Sequence, residues 1–136
     1  MHQDAPGLQL MRRAGDGRAG HRADWQEAPV RPSEFVVIVG DALERITNGE
    51  LLATPHRVLR TNHPRNSLIR FNAFTPETVV APRAEFVSAD RPPAYSATTM
   101  REHMETTMKN LEAGLGSWDT EKGVSRSATY DYSHSR

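Results

Sequence analysis

Five consecutive apolar residues at positions 35–39, Phe-Val-Val-Ile-Val, are closed at once by Gly40-Asp41, and they constrain this chain more than any other stretch. Four of the five are β-branched, and the run is too short for a helix, so it reads as a strand buried on both faces. Shorter runs surround it. Residues 7–11 follow an Ala-Pro-Gly turn, 25–30 are closed by Pro32, and 54–59 and 66–74 are joined by Thr61-Asn62-His63-Pro64. Val79-Val80 reads as a last short strand, and the small, charged, glycine-rich stretch 12–20 as an exposed hairpin loop. Residues 41–48 carry Ala42, Leu43 and Ile46 at near-helical spacing, and Asn48-Gly49 ends that segment as a turn. Many short strands between Gly/Pro turns predict an all-β sandwich or barrel.

The pattern changes after Pro82. Arg91-Pro92-Pro93 can continue neither a central strand nor a helix. Thr98 or Thr99 can cap a helix whose Met100, Met104, Met108, Leu111 and Leu115 form one apolar stripe, with Gly114 and Gly116 as stops. That stripe is expected to dock against the β layer, with His103 on the polar side in a structural or solvent-facing role. The tail from Ser117 has no clear pattern and is expected to be irregular. The expected division is therefore a β portion over residues 1–95 and a helix with irregular tail over 96–136.

Composition narrows the chemistry. Seventeen Lys+Arg balance seventeen Asp+Glu, which gives no electrostatic case for nucleic acid or an anionic membrane as partner. Without cysteine there is no disulfide and no thiolate metal site, so any metal must be held by His, Asp or Glu. No apolar run approaches a membrane span, and the first residues show neither a basic nor an apolar signal region, so the expected location is cytoplasmic.

In the strand around Thr54-Pro55-His56-Arg57-Val58, alternation puts His56 on one face with Thr54 and Val58, and Arg57 on the other. Nine residues further on, Arg65 and Ser67 also share a face, which Ile69, Phe71 and Ala73 continue. One imidazole, one guanidinium and one hydroxyl above an apolar floor could hold a metal and a carboxylate-bearing small molecule side by side. Alone, each signal is weak: a strand histidine is more often structural, and Arg-x-Ser is common. Their succession is specific. The 35–39 strand, Gly40-Asp41, Thr47-Asn48-Gly49, Pro55-His56-Arg57-Val58, Arg65-x-Ser67 and Arg91-Pro92-Pro93-x-Tyr95 occur in that order and spacing. Across about residues 7–95 the chain resembles the C-terminal portion of the isopenicillin N synthase-like Fe(II)/2-oxoglutarate-dependent dioxygenases.

The resemblance implies a partial double-stranded β-helix, or jelly roll, with a C-terminal α-helix. It implies Fe(II) as metal and 2-oxoglutarate as cosubstrate, with oxidative decarboxylation of the oxoacid coupled to oxidation of a C–H bond in a small organic substrate. His56 matches the distal metal-binding histidine, and Arg65 with Ser67 the pair that grips the oxoacid's far carboxylate. Isopenicillin N synthase keeps Arg-x-Ser without using 2-oxoglutarate, so the pair suggests the cosubstrate without proving it. Asn66 stands where many members have Tyr, and Ile38 where many plant members have Asn.

The remaining ligands would come from a His-x-Asp motif, and two readings of the N-terminus compete. His2-Gln3-Asp4 fits the motif and lies 54 residues before His56. Yet Gln3-Asp4 stands only a few residues before Gly7-Leu8-Gln9 and resembles the turn that leads into that segment in the family; local spacing favours the turn. On that reading the chain is a portion of a longer oxygenase and inactive alone. The alternatives are a non-catalytic carboxylate-binding module, or a half-barrel that assembles with a separate N-terminal part. Trp25 is expected to pack at the barrel edge, and His21 and His63 to be solvated loop residues.

Overall fold

The structure is a computed structural model that describes residues 1–12, 24–114, 118–119 and 124–125. Most of the expected hairpin loop, His21 and Leu115 lie outside the described residues. The chain divides into two compact units, Met1–Ile38 with Thr54–Phe71, and Val39–Ala53 with Asn72–Arg136.

The first unit is built of strands. β1 (His2–Gln3) pairs with β5 (Ser67–Leu68), and β2 (Leu8–Arg12) lies between β3 (Asp24–Glu27) and β4 (His56–Val58), every pairing antiparallel. Leu8 and Ala28 are buried here, joined by the backbone bond from Ala28 N–H to the Leu8 carbonyl. Gly7, at φ +133°, carries the chain into β2 in a conformation that favours glycine.

The expectation of a doubly buried strand at 35–39 does not hold. Only Val36 is tied in, exchanging backbone hydrogen bonds with Met1, while Phe35 is 65% and Val37 92% exposed. A run of this kind is buried only when sheet neighbours and covering layers exist on both sides, and the described residues provide one two-bond contact. The strand expected over 66–74 is likewise reduced to β5, and Phe71 is 85% exposed.

In the second unit, α1 (Asp41–Ile46) ends in a left-handed pair, Asn48 at φ +52° and Gly49 at +75°. Asn48 is fully buried and ties the unit together. Its Nδ2 donates to the carbonyls of Phe86 and Pro92, and its Oδ1 accepts from Ala94 N–H at 2.8 Å. Buried Glu44 accepts from the Tyr95 hydroxyl at 2.8 Å and from the Ala53 amide, while Arg45 donates to the Ser96 carbonyl. The Arg-Pro-Pro-x-Tyr segment is thus clamped onto α1 by buried polar bonds. β6 (Val79–Val80) pairs with β7 (Thr98–Thr99), so the short strand expected at 79–80 is present but is not the last.

α2 (Met100–Glu112) begins where the sequence placed it. Thr99 Oγ1 accepts from Glu102 N–H at 3.2 Å and Glu102 returns a carboxylate oxygen to Thr99 N–H at 3.0 Å, a reciprocal cap that lowers the Glu102 pKa. The docked methionine stripe is only partly realised. Met100 is buried, but Met104, Met108 and Leu111 are 42%, 49% and 50% exposed, because the described residues of this unit cover only the first turn. His103, in contrast, is buried and not solvent-facing. In the tail, β8 (Trp118–Asp119) pairs with β9 (Val124–Ser125), where irregular chain was expected. Among the described residues no helix is long and apolar enough to cross a membrane.

Candidate functional site

The register of the three-stranded sheet fixes which way His56 points. Leu10 stands opposite His56 and Leu8 opposite Val58, whereas Arg57 stands opposite Gln9. Opposed residues share a face. Arg57 accordingly donates its Nε–H to Gln9 Oε1 at 2.9 Å and lies 4.1 Å over the Trp25 ring, on the face away from His56. His56 itself is exposed, and its Nδ1 lies 3.0 Å from the Thr54 carbonyl oxygen. A carbonyl only accepts, so Nδ1 is the donor in that bond, which leaves Nε2 as the ring nitrogen that could face a metal.

Arg65 and Ser67 are brought together as alternation demands. Arg65 Nη1 lies 3.3 Å from Ser67 Oγ, and Nη2 donates to Gln3 Oε1 at 2.8 Å. Arg65 Nε is buried and has no hydrogen-bond partner. Gly7 makes this possible, because a Cβ at that position would sit 3.2 Å from Thr61 Cγ2 and 3.4 Å from Arg65 Nε. A guanidinium carries five N–H donors, and two are used here, so its fork keeps donors for a carboxylate next to a hydroxyl. The donor set therefore fits the far carboxylate of an oxoacid.

The same loop is pinned from β1. Asp4 Oδ1 accepts from Asn66 N–H at 2.8 Å, its Oδ2 accepts from Asn66 Nδ2 at 2.9 Å, and Asp4 N–H returns a bond to the Asn66 carbonyl. These bonds from Asn66 hold the Asp4 carboxyl below its usual range, with the Arg65 charge a smaller cause. Asp4 lies in a bend and its carboxylate is committed to Asn66, as in the turn reading. His2 has its Nδ1 3.1 Å from the Glu34 carbonyl and its ring 5.8 Å from that of Phe35.

Iron fits less well. Among the described residues no three His, Cys, Asp or Glu side chains gather closely enough to hold a metal ion. His56 stands in one sheet, and Arg65 and Ser67 beside another of the same unit. A cavity of about 190 Å³ in this unit is lined by Met1, Gln3, Glu34 and Phe35 among others, but by none of His56, Arg65 and Ser67. Sequence reasoning missed Gln3 and Asp4 as partners of the Arg65–Ser67 segment. The only available signal was the Gln-Asp turn, which gives no pairing register.

The first unit is thus a β scaffold that brings Arg65 and Ser67 together, with His56 on a neighbouring strand pair. The model of the 2OG-Fe(II) oxygenase superfamily matches residues 1–73, and the chain belongs to that superfamily. It is 39% identical over 93 residues to 1-aminocyclopropane-1-carboxylate oxidase homolog 11 of Arabidopsis thaliana, covering 65% of this chain and 26% of that protein. Identity is also 39% over 104 residues with gibberellin 2-beta-dioxygenase 2 of Oryza sativa subsp. japonica, covering 76% of this chain and 28% of that protein. The chain thus spans little more than a quarter of the length of these curated relatives. The crystal structure of the rice dioxygenase for auxin oxidation superposes with a TM-score of 0.59 at 22% identity, over 79% of this chain and 34% of that one, a likeness of fold.

Proposed function

We propose that this chain carries the oxoacid-gripping part of an Fe(II)/2-oxoglutarate-dependent oxygenase, an oxidoreductase that oxidises a C–H bond of a small organic molecule. The scaffold is part of a double-stranded β-helix. The observation that carries this reading is the Arg65 guanidinium, tied to Ser67 and Gln3 through one N–H on each Nη, which leaves the second N–H of each for a ligand. Arg65 grips the far carboxylate of 2-oxoglutarate, and Ser67 adds a hydroxyl bond that fixes its tilt. When bound, the oxoacid supplies reducing equivalents through its oxidative decarboxylation. His56 offers Nε2 as one metal ligand. On the turn reading of Gln3-Asp4, supported by the Asp4–Asn66 bonds, the chain alone is expected to be inactive.

A second reading is favoured by the apolar side chains exposed on the first unit, Phe35, Val37, Leu68 and Phe71. Large apolar side chains left exposed in one unit are what an interaction face presents. On this reading the unit is a half-barrel that pairs with a separate N-terminal part carrying the other ligands; without that part it is a carboxylate-binding module.

The test is titration of the metal-free chain with 2-oxoglutarate. Losing charge-assisted hydrogen bonds of about 1.5–3 kcal/mol predicts that Arg65→Ala weakens binding roughly 10- to 100-fold. Unchanged oxoacid affinity in Arg65→Ala would refute the cradle.

A further inference from the structure

Gln3 is 4% exposed and stands directly opposite Ser67 in the β1–β5 pair. Both ends of its side chain are engaged. Oε1 accepts from Arg65 Nη2 at 2.8 Å, and Nε2 donates to the Ala28 carbonyl at 3.0 Å. The orientation of the amide follows from its partners, since a guanidinium only donates and a carbonyl only accepts. Gln3 therefore bridges the start of the unit, the strand-end carbonyl at Ala28 and the guanidinium proposed to meet the ligand.

Resting on the oxoacid-cradle reading, we propose that Gln3 is the positioning residue of that cradle. Arg65 reaches from an intermediate position on a long, flexible side chain, and its Nη1 contact to Ser67 is long at 3.3 Å. The shorter bond at Nη2 is the one that sets the plane of the fork. An arginine held at one edge loses less freedom on binding, because the ordering cost has been met before the ligand arrives. The chemistry of the amide matters as much as its reach. A carboxylate at position 3 would hold the guanidinium equally well but neutralise it. The glutamine carbonyl orients Arg65 and leaves its full charge to the ligand. Ser67, accepting from Nη1, keeps its own hydroxyl proton for the same carboxylate, so Gln3, Arg65 and Ser67 form one polarised chain ending at the anion.

The experiment is a two-dimensional ¹H–¹⁵N titration of the metal-free chain, with chelator present, following the Arg65 Nε–H and Gln3 side-chain amide signals. The probes are glutarate, which carries the far carboxylate without the keto acid, and 2-oxoglutarate. In the wild-type chain both signals shift saturably with a common midpoint. Gln3→Met weakens glutarate by about ten-fold through the lost orientation, and Gln3→Glu weakens it at least as much by neutralising the fork; both variants also lose the donor to the Ala28 carbonyl and melt earlier. A purely structural glutamine predicts lower thermal midpoints in both variants with glutarate affinity of the folded chain unchanged. An Arg65 signal that titrates while the Gln3 amide stays silent overturns the proposal, even if Gln3→Met fails to fold. So does wild-type affinity in either folded variant. Failure of the underlying reading looks different: no saturable shift in the wild-type chain, or glutarate affinity unchanged in Arg65→Ala.

Discussion

Replacing Asn48 by alanine tests the account of the second unit most severely. The side chain is fully buried and makes three hydrogen bonds, donating to Phe86 O at 3.1 Å and Pro92 O at 3.2 Å and accepting from Ala94 N at 2.8 Å. At a net value of about 1 kcal/mol each, their loss costs roughly 3 kcal/mol, given that water reaches part of the stranded groups. Residue 48 also sits at φ +52°, which asparagine tolerates and alanine does not, adding about 1 kcal/mol. The expected total for Asn48→Ala is about 4 kcal/mol, a large part of a small domain's stability of roughly 5–15 kcal/mol. Asn48→Gly loses the same bonds but not the backbone fit, so it should be less destabilising by about 1 kcal/mol. Urea titration followed by far-ultraviolet circular dichroism gives both differences, and exchange of the Ala94 amide reports the clamp locally. If Asn48→Ala loses less than about 1 kcal/mol, the hydrogen bonds do not clamp the 86–94 segment. Equal losses in Ala and Gly would show that the left-handed backbone contributes nothing.

Two further outcomes follow from buried and exposed faces of α2. Burial pushes the His103 pKa down, opposed by the Asp41 carboxylate and reinforced by the Arg45 charge, and Nδ1 has no hydrogen-bond partner. The unfolded chain then binds the proton more tightly, so stability is complete above the ordinary histidine value of about 6.5, declines as pH falls below it and levels off under the lowered folded value. Urea midpoints between pH 8 and 5 should show that slope in the wild-type chain and a shallower one in His103→Leu; identical slopes would place the protonation elsewhere. Met104→Gln and Met108→Gln should each change stability by no more than about 0.5 kcal/mol, because both side chains are half exposed. A loss above about 2 kcal/mol in the purified chain, read from urea unfolding, would show that this face is packed.

Sequence legibility divides along the range of the interactions. The α2 start was readable because a reciprocal cap is local: Thr99 and Glu102 are three residues apart. The faces of His56 and Arg57 were readable because a strand alternates regardless of what covers it. Burial was not readable in the same way. Phe35, Val37 and Phe71 have core chemistry, yet nothing in a local pattern says whether a covering layer is present, and here it is not among the described residues of their unit. The polar clamp of Glu44, Arg45, Asn48 and Tyr95 was also hidden, since its partners lie about 40 to 50 residues apart in sequence. Composition alone would have placed those charged and polar groups at the surface.

Register decides what spacing left open at the N-terminus. His2 stands opposite Leu68 and Gln3 opposite Ser67, and residues opposed in an antiparallel pair share a face. Gln3 therefore lies with Ser67 and Arg65, while His2 lies with Leu68 on the reverse side. Asp4 follows that parity: its carboxylate grips Asn66, the residue between the two gripping ones. On the proposed function, Arg65 and Ser67 would hold the oxoacid on the face opposite His2. Sliding β1 by one residue would reverse the assignment, but it would break the Gln3–Arg65 and Asp4–Asn66 bonds together. The register of β1 thus supports the turn reading of Gln3-Asp4, with Gln3 on the side of Arg65 and Ser67.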